Sequence, residues 1–183
     1  GPPTLTFSSR TDLAHGFRRP RSLDAMEGLK EISVSRDERE AMLSDAMSQW
    51  WLGAIATMMK AMGPEATMKA YGPTMRQIGR GWAERFVKEK GYHGHDAMAT
   101  AAVIRMWEGM MGIQGKVLEA SPDKVVVRNT ACPLAKAMPQ ACESLECAIW
   151  GHLDVISPGY RFDSRANMTK GDPYCEWCIE KKR

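Results

Sequence analysis

The sequence has no cysteine before residue 132, no apolar run of membrane-spanning length and no recognisable signal peptide. Those absences argue against a secreted disulfide scaffold and an integral membrane protein. They lead us to expect a cytoplasmic chain with reduced thiols. It also has little net charge: 25 basic and 22 acidic residues give +3. That is too small a balance to imply a nucleic-acid partner. No internal repeat is visible, and the composition calls for no cofactor. What is there suits a soluble globular protein: 183 residues, 44% hydrophobic and 26% charged, enough for one ordinary domain with a core.

Residues 1–30 read as a tail. Gly1-Pro2 resembles the remnant of a protease-cleaved tag, and Arg18, Arg19 and Arg21 cluster around Pro20. We read this basic arm as solvated surface that could hold a second copy in a homo-oligomer. Residues 31–183 read as a single domain.

From Ser35 the pattern turns helical. Ser35 and Glu38 have capping-box spacing. Leu43, Met47, Trp50, Ala54, Met58 and Ala61 then recur every three or four residues and should form one packed face. Gly63-Pro64 ends that helix. A second helical region covers 64–90, with a break expected at Gly72-Pro73 and a face of Met75, Ile78, Trp82 and Phe86. After the loop Gly91-Tyr92-His93-Gly94-His95, His95 or Asp96 opens a third helix, to about Ile113. It is apolar nearly all round, so a central position is expected. The methionines, 14 in all, should mostly fill the core, or else line a plastic apolar pocket.

Then the period falls to 2. Residues 116–120 and 124–129 read as a hairpin, joined at Ser121-Pro122-Asp123. A helical segment follows Cys132, broken near Pro139 and ending by Ser157-Pro158-Gly159. Residues 160–169 and 174–180 form a second hairpin, with Asp172 as a turn former. The plan is α+β: N-terminal helices packed on a four-stranded antiparallel sheet, with one helix between the two hairpins.

The chemistry centres on Cys132. Proline is favoured at the first helical position, so Cys132-Pro133 places the sulfur at an N-cap. A helix start favours the thiolate, the form that attacks carbon. The alternative is a small buried hydrophobe. Cys142 and Cys147 lie five residues apart and do not share a helical face, so at most one joins Cys132. Cys175-Glu176-Trp177-Cys178 is a CxxC, but on a strand its two sulfurs point to opposite faces. Cys175 should face the core with Trp177 and Ile179, and Cys178 should sit outside among carboxylates. A zinc site using both would need a tight turn instead, so no metal is expected there. His152 and Asp154 close the helical stretch, and His93, His95 and Asp96 form a second polar cluster.

Three features in order carry a resemblance: Cys132-Pro133-Leu134-Ala135; Ala141-Cys142-Glu143; and Pro158-Gly159-Tyr160-Arg161-Phe162 onward to Gly171-Asp172-Pro173-Tyr174-Cys175-Glu176-Trp177. Together they resemble the L-2-amino-thiazoline-4-carboxylic acid hydrolase family and, more distantly, vinyl-reductase-type ligand-binding domains. The likeness spans roughly residues 65–180. It leaves 1–60, Cys147 and Cys178 unaccounted for. The family opens a cyclic amidine: water adds to the carbon between N and S, the C–S bond breaks, and N-carbamoyl-cysteine results. The resemblance makes Cys132 the nucleophile, with Cys142 and Cys175 its neighbours. His152, His93 or Glu143 would serve as general acid. Arg161 or Arg165 would hold a substrate carboxylate. Cys175, His93 and Trp107 join these arginines as candidates for substrate contact.

The expectation is therefore a cysteine-dependent hydrolase, or a related tailoring enzyme, acting on a small heterocycle. The alternative is a non-catalytic small-molecule-binding or sensor domain, with zinc held by some of Cys142, Cys147, Cys175 and Cys178.

Overall fold

The computed structural model describes residues 34–183. The tail and its basic cluster lie outside the described residues. The chain divides into two units, one ending at Arg39 and one running from Glu40 to Arg183.

Among the described residues four α-helices precede or punctuate one sheet: α1 (Arg36–Met62), α2 (Pro64–Lys90), α3 (Ala97–Met110) and α4 (Pro139–Ile156). The strands are β1 (Gln114–Ala120), β2 (Lys124–Ala131), β3 (Tyr160–Ala166) and β4 (Cys175–Lys181). All pairings are antiparallel, in the order β1-β2-β4-β3. This is the α+β plan expected from the two changes of hydrophobic period. Among the described residues no helix is long and apolar enough to cross a membrane.

The capping box forms: Ser35 N–H donates to Glu38 Oε2 at 2.8 Å and Glu38 N–H to Ser35 Oγ at 3.2 Å. At the far end of α1 the expectation fails. Leu43, Met47, Trp50, Ala54 and Ala61 are exposed, and Ile55 is the buried residue. The helix has an apolar face, but the described fold does not cover it.

Nor does Gly72-Pro73 break α2, which runs unbroken through Pro73. Its packed face also differs from the expected one. Gly72, Met75, Gly79 and Ala83 are buried, whereas Ile78 and Trp82 stand partly in solvent. Small residues win because α2 lies directly against α4, backbone on backbone. A Cβ built on Gly79 would sit 2.0 Å from the Ala148 carbonyl oxygen; one on Gly151 would sit 2.1 Å from that of Arg76. Bulky side chains cannot enter such a crossing. Arg76 clamps it with two hydrogen bonds to Asp154, each 2.7 Å.

Asp96 caps α3, accepting from the Ala99 N–H at 2.8 Å. The side of α3 bearing Ala97, Ala101 and Ile104 packs on Val125, Val127, Trp177 and Ile179 of the sheet. The opposite side carries Met98, Met106 and Met110 and faces solvent. Ala99 and Val103 pack in turn with Ala83 of α2 and Ile156 of α4, so α3 is central as expected, with one methionine-bearing side left in solvent. Met75 alone of the described methionines belongs to the buried core.

Candidate functional site

The β2 ladder ends at Ala131, and Cys132 follows in extended conformation as the N-cap of a single 3-10 turn, Pro133–Lys136. α4 starts three residues later and brings Cys142 on its second turn. Cys175 opens β4. These three thiols, with Glu108, Glu146 and Asn129, line one cavity of about 90 Å³. Leu134, Phe162 and Trp177 form apolar wall. All three sulfur-bearing residues are half-buried.

One end is fixed by a buried polar knot. Glu108 Oε1 accepts from Asn129 Nδ2 at 2.6 Å and Trp177 Nε1 at 2.7 Å, while Oε2 accepts from Arg105 at 2.5 Å. Arg105 also donates to Asn129 Oδ1 at 3.0 Å. A buried carboxylate persists only when its lone pairs are met in this way. Gly115 makes the room: a Cβ there would lie 2.3 Å from Asn129 Oδ1.

The other end is the β3–β4 connection. Asn167 N–H donates to Asp172 Oδ2 at 2.6 Å, and Thr169 N–H to Asn167 Oδ1 at 2.9 Å. Asp172 is thus the turn former it was read as. The turn lays the Met168 N–H against Cys175 Sγ at 3.3 Å and the Thr169 hydroxyl beside Cys142.

The thiols are not tuned as expected. Burial pushes Cys132 up, and the nearby Leu134 and Ala135 amides only partly offset it. No amide closes a capping hydrogen bond on the sulfur. One 3-10 turn has almost no macrodipole to lend, which is why the N-cap argument overshot. Burial pushes Cys142 up to about 11, against the pull of Thr169, and raises Cys175 against the Met168 amide. Glu108 adds to the rise at Cys132 and Cys175, and Glu146 to that at Cys142 and Cys175. Burial also raises Glu146 itself, only partly offset by Ser164 and Lys170.

The other expected site residues lie elsewhere. His152 is buried in the core: its Nε2 accepts from Trp107 Nε1 at 3.2 Å and its Nδ1 faces the Ala148 carbonyl at 2.8 Å. That fixes a neutral ring, which burial holds below the ordinary histidine range. Trp107 stacks on Trp82 with centroids 4.3 Å apart, beside Phe86 in a separate cleft. Glu143 pairs with Lys170 at 3.3 Å and is not in the cavity wall; Glu146, one turn on, is. His93 is exposed in the α2–α3 loop. Arg161 and Arg165 emerge on the far face of the sheet, where Arg161 is bound to Glu180 and Arg165 lies 3.4 Å from Asp163. Alternation along β3 sends Phe162 inward and these arginines outward.

Cys178 shares that far face with Glu180 and Asp163, as expected, but is fully covered. Cys147 faces Gly72 across the α2–α4 crossing. The set Cys142, Cys147, Cys175 and Cys178 therefore does not converge. Among the described residues no three His, Cys, Asp or Glu side chains group to hold a metal ion.

Glu108, Asn129 and Glu146 were missed. The one acid of helix 97–110, and an asparagine just after the run Val125-Val126-Val127-Arg128, were the available signals.

No protein-family model matches the sequence, and no curated protein matches it. Among solved structures the chain is similar to trafficking protein particle complex subunit 3 from Naegleria fowleri, whose crystal structure is covalently bound to palmitic acid. The identity is 12% and the TM-score 0.56, over 78% of this chain and 97% of that one. The likeness is one of fold.

Proposed function

We propose that the cavity is a thiol-dependent site for a small cyclic amidine, with Cys132 as nucleophile, in a cytoplasmic hydrolase or related tailoring enzyme. The observation that carries this reading is the convergence of Cys132, Cys142 and Cys175 with three carboxyl groups on one small cavity. The acidic side chains in its wall are Glu108, paired with Arg105, Glu176, paired with Arg128, and Glu146. An amidine nitrogen takes the Cys132 proton, and the resulting amidinium lies beside the thiolate it has formed. The cation supplies the opposite charge that the empty cavity lacks, so the bound substrate itself activates the thiol.

The thiolate adds to the ring carbon between N and S. The ring C–S bond breaks, and Glu146 in its protonated form gives its proton to the departing sulfur. A water, deprotonated by Glu146, then adds to the same carbon. The bond to Cys132 breaks, releasing the thiol and a carbamoyl product. Glu146 takes the role first assigned to His152, His93 or Glu143 because it lines the cavity and its proton affinity is raised. The free state of all the cysteines suits a reducing compartment.

A second reading is a non-catalytic binding domain that retains a ligand on Cys132. The fold likeness to a protein holding palmitic acid favours it. Size argues against a sixteen-carbon chain here, since the cavity is only about 90 Å³. The test is ring opening of 2-amino-thiazoline-4-carboxylic acid, followed as released thiol. Wild type should turn over and Cys132→Ala should not. An unreactive wild type that accumulates a stable mass adduct on Cys132 favours the binding domain. A fully active Cys132→Ala ends the mechanism.

A further inference from the structure

Two apolar faces in this chain have no cover among the described residues. On α1, Leu43, Met47, Trp50 and Ala54 follow one another at spacings of four, three and four, the pattern of a helix–helix seam. Trp50 is 69% exposed and Met47 56%. On α3, Met98, Ala102, Met106 and Met110 repeat every four residues and stand in one exposed row. No charged residue belongs to that row; Arg105, at its edge, is turned in to Glu108 and Asn129. β1 extends the second face. Val117 pairs with fully buried Val127, so both point to the helix-covered side of the sheet, yet Val117 is 50% exposed.

We propose that these faces are the two halves of one interface between two copies of this chain, the α1 seam of each docking on the α3 row of the other. Length supports the pairing. From Leu43 to Ala54 a helix rises about 17 Å, and from Met98 to Met110 about 18 Å. Area supports it too. The exposed side chains named here leave on the order of 700–800 Å² of apolar surface in water on each copy. A stable interface of ordinary size takes about 800 Å² from each partner. A two-fold dimer uses both faces of both copies at once, since residue i meets j wherever j meets i. A single-faced patch would leave the other half wet.

The test is sedimentation equilibrium of the full chain across about 1–100 µM. Wild type should be a dimer. Trp50→Glu on the seam and Met106→Glu on the row should each weaken association by about thirtyfold or more, with helical circular dichroism unchanged. Mixing seam and row variants should restore one of the two contacts, giving an affinity between wild type and either variant alone. Ile78→Glu, exposed on α2 outside both faces, should leave the dimer intact. A monomeric wild type overturns the proposal. So does a dimer that survives either seam or row substitution, or one that Ile78→Glu disrupts equally.

Discussion

Gly79 and Gly81 lie two residues apart on α2, and alanine at each should move stability in opposite directions. The helix itself prefers alanine at both positions by about 0.5–1 kcal/mol. At Gly81 nothing lies within 4 Å of the new methyl, so that preference should appear undiminished. At Gly79 the methyl would meet the Ala148 carbonyl oxygen at 2.0 Å, its carbon at 2.8 Å and its Cα at 2.9 Å. Those are α4 backbone atoms, which cannot swing aside as a side chain can. The two helices must part by more than ~1 Å, and a gap of that size forfeits a quarter to a half of the dispersion well at each contact along the crossing. Overpacking of this kind costs about 1–3 kcal/mol, more where backbone is the obstacle. After subtracting the propensity gain, Gly79→Ala should destabilise by roughly 0.5–2.5 kcal/mol, or about 1–10 °C in Tm for a chain of this size. Gly81→Ala should raise Tm by about 1–4 °C. Thermal and urea unfolding followed by circular dichroism read both. If Gly79→Ala is as stable as Gly81→Ala, the close crossing of α2 and α4 is wrong, and with it the placement of Cys142 and Glu146.

Glu108→Ala removes the acceptor for Asn129, Trp177 and Arg105 and should cost about 3–5 kcal/mol. The same change deletes a negative charge that disfavours the Cys132 thiolate, so iodoacetamide at pH 8 should label Cys132 faster in any population that remains folded. Raising the pH should weaken the fold. Cys142 titrates near 11 when folded and ordinarily when unfolded, so its neutral form contributes fully below about pH 9 and is lost by pH 11. That amounts to at most roughly 2–3 kcal/mol, read as the difference between wild type and Cys142→Ala in urea midpoints at pH 8 and pH 11. His152 has the opposite dependence. Its folded pKa is lowered, so the unfolded chain binds protons first and stability falls as pH drops below about 6.5. His152→Phe should flatten that acid limb while leaving ring opening unchanged; loss of turnover would return the histidine to the chemistry.

The limits of the sequence reading have a common physical origin. Elements came through where the pattern is local: the capping box at Ser35 and Glu38, Asp96 before α3, and the alternation that sends Cys175 inward and Cys178 outward. Which partner covers a face is not local. Leu43, Met47 and Trp50 mark an apolar side of α1 correctly, yet periodicity cannot say whether its cover belongs to the same copy. Gly72, Gly79 and Gly151 carry no hydrophobic signal, so the tightest helix crossing in the fold was invisible, and Ile78 and Trp82 were given its place. The site shows the same split. Cys132, Cys142 and Cys175 were grouped by the family resemblance, and local pattern added only that Cys175 faces inward; the fold brings all three to one cavity. The groups acting on them, Glu108 from α3 and Glu146 one turn beyond Glu143, arrive from elements whose rotation about their own axis is set only by packing. For Cys132 the burial that packing imposes outweighs the amides of its own capping turn, so a site read from Cys132-Pro133 alone had to misjudge its direction.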